Sequence, residues 1–380
     1  MRSLLILLIS TSLVFYSCST KEEKSNNILH INLDKEDNVS VFDLVDSISV
    51  IQLNSTQESL FSDVSKLVFH KGRFYIADFV LQSVFCFSSE GKFLFKINKR
   101  GRGPDEYDYA GDFNIDPFND QIMILVPWGH ILYYDLDGKF ISKVKLPDEV
   151  IAYTEVYAID KEKLLFISFN EIRANYYSRT SNTIIKRCLH TYNGSHYIFT
   201  PIHQSYYYKD SLFVNDISIN YNVLNMTDEN QKISYSWDFG KNNNTPKQIK
   251  EVLLRQKTSK RNKPLITKEN LNDKNLPNYY TYNCYETKRY RITTLRYKDP
   301  VKFLYVFKDK TDGKDYVFRK TTEGIDFFYH SFNGNSVIMF PNDYYQSFSE
   351  STLSPEQLKI VRAYNPDKDN PFLIIYHFKE

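Results

Sequence analysis

Pairs of short runs of alternating apolar and polar residues, each pair joined by a turn, recur at regular intervals along the chain. Residues 85–97 form two such runs joined at Gly91, and residues 133–144 repeat the arrangement around Gly138. Alternation with a period of two predicts a half-buried strand. A glycine between two such runs predicts a β-hairpin, because the turn needs a residue that adopts positive φ.

Weaker copies of this hairpin pattern extend the repeat. Their turns are centred near residues 182, 231 and 313. Successive turns are 44–49 residues apart once residues 246–278 are set aside. That stretch begins at Pro246 and carries apolar residues at helical spacing, so we predict a helical insertion there. A period of this length indicates a repeat architecture.

A second pair of alternating runs precedes each hairpin. It covers residues 65–69 and 73–78 in the first repeat, and residues 112–116 and 121–125 in the second. Four strands per repeat are typical of a propeller blade. We therefore predict an all-β fold, a six-bladed β-propeller with four-stranded blades, over residues 41–380.

The sixth blade is predicted to combine the two ends of the chain. Residues 325–330 and 336–340 supply its inner pair, residues 371–378 its third strand and residues 47–53 its fourth. Neither terminal segment can bury its apolar side alone, so this closure ties the ring together. A second short helical insertion, residues 354–361, starts with serine and proline, as helix N-termini often do.

The first residues of the chain have the pattern of a lipoprotein leader. Residues 1–17 combine Arg2 with a short apolar run and end on a small residue, as a secretory signal peptide does. Cys18 follows and is the predicted lipid-attachment residue. Residues 18–40 are predicted to be the lipidated N-terminus and a flexible tether. The alternative is an ordinary signal peptide followed by a cysteine by chance.

Composition narrows the possible functions. Gly 12 and Pro 13 are few, whereas Tyr 30 and Phe 28 are many, which excludes collagen-like and proline-rich disordered chains. A net charge of +2 gives no overall field for nucleic acid. The cysteines and the eight histidines show no ligand spacing for a metal. We predict no catalytic residue, no metal site and no cofactor.

Three segments resemble a known family, the six-bladed β-propeller lipoproteins of Bacteroides and relatives, which are similar to NHL-repeat propellers. They are residues 43–53, 101–107 and 369–376, and the second resembles a G-x-G-P-G-E-Y loop with Asp105 at the third glycine. The resemblance implies a propeller fold and a cell-envelope protein anchored by lipid to the outer membrane. The run Lys21-Glu22-Glu23 resembles the export signal of surface-exposed lipoproteins. The resemblance implies no particular ligand.

The loop between the first two blades holds the candidate ligand-binding residues Arg100, Arg102, Glu106 and Tyr107. Its guanidinium groups and carboxylate suit an anionic or sugar ligand beside the channel mouth. The alternative is a structural crossover in which glycine and proline set the turn. The tyrosine run 206–208 is a candidate sugar-stacking surface, or else one face of a strand.

The sequence favours a monomeric binding or protein-interaction module over an enzyme. The expected partners are a glycan, a peptide or an envelope protein, and the membrane through the N-terminal lipid, but no nucleic acid. One alternative is a hydrolase or lyase acting on glycans or peptides at the channel mouth. Another is an accessory component of an outer-membrane uptake or secretion complex that docks through residues 246–278.

Overall fold

Short β-strands make up most of the folded chain. The structure, a computed structural model, describes residues 27–148, 153–168, 172–190, 205–215, 220–258, 273–297, 303–327, 331–341 and 346–380. The strands and α-helices follow one another in this order: β1 (Ile28–His30), α1 (Val41–Leu44), β2 (Val45–Ile51), β3 (Lys66–His70), β4 (Arg73–Asp78), β5 (Ser83–Ser88), β6 (Phe93–Ile97), β7 (Asp112–Asp116), β8 (Gln121–Val126), β9 (His130–Asp135), β10 (Phe140–Lys145), β11 (Tyr153–Ala158), β12 (Lys163–Ser168), β13 (Ile172–Ser178), β14 (Thr183–His190), β15 (Ser205–Tyr208), β16 (Ser211–Asn215), β17 (Asn222–Asn225), β18 (Ile233–Asp238), α2 (Pro246–Thr258), β19 (Tyr279–Glu286), β20 (Tyr290–Tyr297), β21 (Phe303–Asp309), β22 (Asp315–Phe318), β23 (Ser331–Asn333), β24 (Ser336–Met339), α3 (Pro355–Ala363) and β25 (Leu373–Phe378).

These strands form six antiparallel blades in a ring. Blades 1 to 5 each use four consecutive strands, starting with β3, β7, β11, β15 and β19 at the axis. In blade 6 the order from the axis outward is β23, β24, β25 and β2, so the outer strand comes from the start of the chain. The predicted six-bladed propeller, closed by strands from both ends, is confirmed.

The inner strand of blade 6 is not where the sequence analysis put it. The prediction was residues 325–330, whereas the strand observed is β23, Ser331–Asn333, and residues 325–327 are not a strand. Ile325 and Phe327 are buried in the core instead. The backbone of this stretch bonds to loops, because Ile325 accepts from the Thr321 N–H at 3.0 Å. Two alternating apolar residues were therefore misread as a strand face.

The hairpin turns at the outer edges of the blades explain how the chain manages with few glycines. Gly91, Gly138 and Gly313 adopt φ of 83°, 80° and 73° at three of them. At the turns of blades 3 and 4 the same region is occupied by Asn182 and Gln231, each at φ 52°. Asparagine tolerates this conformation well and glutamine less so.

The N-terminal segment, residues 28–44, runs along the rim of the propeller as a belt. Strand β1 pairs in parallel with β18, the outer strand of blade 4. Asp37 then exchanges hydrogen bonds with Val317 of β22 in blade 5, at 2.7 and 2.8 Å. At blade 6, the carboxylate of Glu323 accepts from the Ser40 hydroxyl at 2.6 Å and from the Val41 N–H at 2.9 Å.

The position of the belt contradicts part of the predicted flexible tether. A flexible tether over residues 18–40 is wrong for residues 28–40, because Ile31, Leu33 and Val39 are buried against the propeller. Burying such side chains is favourable by about 1.5–3 kcal/mol each, and together with the hydrogen bonds of the belt it opposes the entropic cost of ordering the segment. Cys18 and the leader lie outside the described residues.

The two helical insertions each bond to other segments of the chain. Helix α2 confirms the start of the predicted insertion, with Val252 buried and the Gln248 amide donating to the Leu276 carbonyl at 3.0 Å. The stretch 259–272 of that insertion lies outside the described residues. Helix α3 has a capping box at Ser354, and its Gln357 amide donates to the Ile48 carbonyl at 2.6 Å. In the part of the chain that the structure describes, no helix is long and apolar enough to cross a membrane.

Candidate functional site

A cavity of about 430 Å³ lies on the propeller axis. Each of the six inner strands, or the turn that follows it, contributes to its wall. The cavity reaches the turns that join the first and second strands of the blades, at His70, Pro117, Asp210 and Gly334. We call this side of the propeller the AB face. The cavity volume falls within the range of small-molecule sites.

Among the described residues, eight aromatic side chains line this cavity, at least one from each blade. Six of them, one from each blade, form what we call the aromatic collar: Phe69, Phe118, Tyr157, Tyr207, Tyr282 and Phe332. The other two are Tyr206 and Tyr285. Within the collar, Tyr157 is buried and the other five are half-buried. Neighbouring rings fix their orientations: Tyr157 and Tyr207 meet edge to face at 6.2 Å between centroids. The collar therefore presents fixed, largely apolar ring surfaces around the axis.

Two phenols of the collar, those of Tyr157 and Tyr207, are neutral hydrogen-bonding groups. Burial raises the pKa of Tyr157 and Tyr207 well above the usual value, so neither ionises at physiological pH. The Tyr157 hydroxyl donates to the Glu155 carboxylate at 2.5 Å, and that of Tyr207 donates to the Ala158 carbonyl at 2.8 Å. These bonds set the side chains in place and leave the rings as the contact surface.

An ion pair lies between blades 1 and 2 beside the cavity. The Lys66 ammonium lies 2.8 Å from Asp112 Oδ1, and both side chains are almost fully buried. The other carboxylate oxygen of Asp112 accepts from the Val156 N–H of blade 3 at 3.0 Å. Burial raises the pKa of Asp112, while the Lys66 charge opposes that rise. The pair ties three inner strands together and cancels the charge of a cavity-lining lysine.

Carboxamide side chains supply neutral polar groups to the wall. Asn114 donates to the Val156 carbonyl at 2.9 Å, which pairs the free edge of β11. Asn283 lines the cavity from β19, and its buried Oδ1 has no hydrogen-bond partner among the described residues. Asn333 lines the cavity from β23. Since every inner strand is also an edge strand, backbone N–H and C=O groups face the axis as well.

Polar and charged side chains lie at and near the mouth. His70 Nε2 lies 3.4 Å from the carboxylate of Asp120, which also pairs with Lys71. Asp210 is exposed in the turn after β15. Of the described residues that line the cavity, Asp210 alone carries a carboxylate. No group of three metal-ligating side chains is found within the described ranges.

The loop predicted to bind a ligand lies on the opposite side of the propeller from the AB face. It joins β6 to β7, and none of its residues lines the axial cavity. The Glu106 carboxylate accepts from the Gly103 N–H at 2.7 Å, and the buried Tyr107 hydroxyl donates to the Gln82 carbonyl at 2.8 Å. Burial raises the pKa of Tyr107 to about 12. Arg100 and Arg102 are exposed.

These contacts give Glu106 and Tyr107 structural roles, whereas a ligand at Arg100 and Arg102 stays a prediction. The three residues of the tyrosine run 206–208 also lie in different surroundings. Tyr206 and Tyr207 line the cavity, while Tyr208 lies against Lys310, whose ammonium is 4.7 Å from its ring centroid.

Sequence analysis missed most of the cavity wall. Lys66, Asp112 and Asn114 stand in runs correctly assigned as inner strands, and their polar character was the available signal. A polar residue that interrupts an apolar inner strand is a candidate for the channel. The collar has no local signal, since ring closure brings together one aromatic residue from each of six distant segments.

Comparison with known proteins agrees with this architecture. A Bacteroides fragilis NCTC 9343 protein, named as an exported protein, superposes with a TM-score of 0.71 at 14% identity, over 93% of this chain and all of that one. A DUF4221 family member from Bacteroides vulgatus ATCC 8482 has a TM-score of 0.51 at 10% identity, over 91% of this chain and 99% of that one. At such identities the likeness shows the fold alone.

A search of curated proteins finds no match. One family model, described as a domain of unknown function, DUF4934, matches residues 26–377. The match begins at the belt and ends in β25, so it covers the whole ring. The chain therefore belongs to the DUF4934 family.

Proposed function

We propose that this protein is a lipid-anchored binding module outside the cytoplasm that holds a small ligand in its axial cavity. The aromatic collar is the observation that carries the proposal. Six rings from six blades surround a cavity of about 430 Å³ that reaches the AB face. A concave, mostly apolar site with a few convergent polar groups is the usual form of a small-molecule site.

The proposed location is supported by the leader and by one of the structural neighbours. Residues 1–17 and Cys18 have the pattern of a lipoprotein signal. The similar Bacteroides fragilis protein is named as exported. An outer-membrane anchor, on either side of that membrane, is part of this proposal.

The location is tested with Cys18→Ala in the native organism. We expect the wild-type protein to incorporate radiolabelled palmitate and to lie in the membrane fraction, and the Cys18→Ala variant not to incorporate the label. A Ser19→Ala variant is the control, because it changes the neighbouring residue and leaves the lipid-attachment thiol. A Cys18→Ala protein that incorporates palmitate as the wild type does would overturn the lipid anchor.

Ligand binding in the cavity is tested with a variant that fills it. Ser331 lines the cavity from β23, so Ser331→Trp places an indole in the ligand space. Ser181 is exposed in the outer turn of blade 3, and Ser181→Trp is the matched control. Saturation-transfer NMR on the detergent-purified protein would probe mixtures of neutral sugars, amino acids, dipeptides, nucleosides and short fatty acids.

We expect at least one class to bind the wild type and Ser181→Trp but not Ser331→Trp. Near-ultraviolet circular dichroism establishes that both variants are folded. Binding that survives in a folded Ser331→Trp variant would place the site elsewhere and overturn the proposal. The absence of binding by every class would overturn it as well.

The hydrolase or lyase alternative is not favoured by a specific observation. Glycoside hydrolysis generally uses two carboxyl groups that flank the scissile bond. Asp210 is the one carboxylate among the described residues of the cavity wall, while Asp112 is held by Lys66 and the Val156 N–H. We therefore propose binding and not turnover.

A further inference from the structure

We propose that the ligand of the axial cavity is a neutral carbohydrate, a mono- or disaccharide. This inference rests on the proposed function and names the class of ligand. It follows from three properties of the wall: flat aromatic surfaces, neutral hydrogen-bonding groups and, among the described lining residues below the mouth, a single charged side chain that is already paired.

The aromatic surfaces suit the apolar faces of a pyranose ring. Axial C–H groups of a sugar ring form an apolar patch that packs on the face of an aromatic ring, as other apolar groups do. Five of the six collar rings are half-buried and line the cavity. Because the rings come from separate blades, they can contact a sugar from several sides.

The polar groups between the rings match hydroxyl groups. The wall carries the carboxamides of Asn114, Asn283 and Asn333, and the hydroxyls of Ser205 and Ser331. A sugar hydroxyl both donates and accepts, so it can pair with an amide, with a serine or with the free edge of an inner strand. The buried Oδ1 of Asn283, which has no partner in the described part of the chain, is an acceptor that such a donor would satisfy.

The electrostatics of the wall disfavour a charged ligand. Away from the mouth, Lys66 is the one charged side chain among the described residues that line the cavity. The Asp112 carboxylate, 2.8 Å from its ammonium, neutralises its charge. An amino acid or a short free peptide would bring an ammonium and a carboxylate into the cavity, where Asp210 at the mouth is the one carboxylate among the described lining residues and Lys66 is already paired with Asp112. Burying a charge without a partner is costly, whereas a neutral sugar avoids that cost.

The test compares sugars that share a ring and differ in charge. The neutral probes are glucose, galactose, mannose, N-acetylglucosamine and the disaccharides maltose, cellobiose and lactose. Glucuronate and glucosamine are the charged analogues of the glucose ring. We expect saturation transfer to at least one neutral probe, and binding at least tenfold weaker for the matching charged analogue. The saturation-transfer signals of the neutral probe and of its charged analogue should disappear in Ser331→Trp and persist in Ser181→Trp.

The collar is tested with a second pair of matched variants. Phe118→Ala removes one half-buried ring from the wall, while Phe42→Ala removes an exposed ring on α1 at the rim. We expect Phe118→Ala to weaken sugar binding about three- to tenfold, as the loss of one aromatic contact does, and Phe42→Ala to leave it unchanged.

The possible results separate this inference from the proposed function. If only dipeptides, nucleosides or fatty acids bind, and Ser331→Trp abolishes their binding, the carbohydrate is wrong and the cavity site stands. The same holds if glucuronate or glucosamine binds as tightly as the neutral sugars. If no probe binds in the cavity, both the proposed function and the inference fail.

Discussion

The side-chain amide of Asn370 donates to the backbone carbonyl of Asn54 at 2.7 Å, across 316 residues of sequence. The same amide donates to the Ser59 carbonyl at 2.9 Å, and its oxygen accepts from the Phe61 N–H at 3.1 Å. Asn370 is fully buried just before the closing strand β25. One side chain therefore fastens the end of the chain to the loop that leads into blade 1.

Asn370→Asp should destabilise the ring closure. A carboxylate can still accept from Phe61 but cannot donate to the two carbonyls, which would be left facing a buried charge. A lost buried hydrogen bond costs about 1–3 kcal/mol, so we expect a loss of about 3 kcal/mol in the free energy of unfolding, measured in urea. Asn230→Asp, at an exposed turn, is the control. Equal stability of the two variants would contradict this role.

Lys66→Met should be strongly destabilising because it leaves Asp112 buried without its partner. Removing one member of a buried ion pair costs about 3–5 kcal/mol. We expect Lys66→Met/Asp112→Asn to recover most of that loss, since the asparagine oxygen can still accept from the Val156 N–H. Urea unfolding of the two single variants and the double variant gives the coupling energy. Additive effects of the two substitutions would show that the pair is not coupled.

Glu323→Gln should weaken the attachment of the belt in a pH-dependent way. Although burial raises the pKa of Glu323, hydrogen bonds from Ser40 and the Val41 N–H outweigh it and lower the pKa from 4.5 to about 2. The contribution to stability is therefore full above about pH 5 and is lost as the pH falls from 4.5 towards 2.

We expect wild type and Glu323→Gln to differ most in thermal stability near neutral pH and to converge near pH 2. Glu58→Gln, at an exposed position before blade 1, is the matched control. A stability difference that is constant across this range would show that the Glu323 charge does not hold the belt.

Arg100→Ala/Arg102→Ala should leave both the stability and any binding in the axial cavity unchanged. Both side chains are exposed, and their loop does not line the cavity. Tyr107→Phe should instead cost about 1 kcal/mol, since it removes the bond to the Gln82 carbonyl. Urea unfolding and saturation-transfer NMR measure the two effects. A loss of cavity binding in the double arginine variant would connect this loop to the ligand.

Much of the fold could be predicted from the sequence because each blade is built from local contacts. Hairpins with positive φ at Gly91, Gly138 and Gly313 leave a clear pattern of alternation and turn residues. The belt was missed because its apolar residues, Ile31 and Val39 among them, lie in a polar segment. Its partners are 200–300 residues away, so nothing near it in the sequence reveals the pairing.

The candidate site was less predictable for the same reason. The contacts of Lys66 with Asp112, and of Asp112 with Val156, join three repeats, and alternation within one strand does not report on them. The loop 100–107 attracted attention because its glycines and charges are unusual. The structure shows that its Glu106 carboxylate is held by the loop's own backbone at Gly103, and that Tyr107 is bonded to Gln82.

The rim position of the belt sets where the N-terminal segment leaves the propeller. Residue 27 lies beside the outer strand of blade 4, at the edge of the disc. Nine residues separate this point from the last leader residue, and a fully extended chain of that length spans about 30 Å. A lipid on Cys18, as proposed above, would therefore lie within about 30 Å of the rim at blade 4.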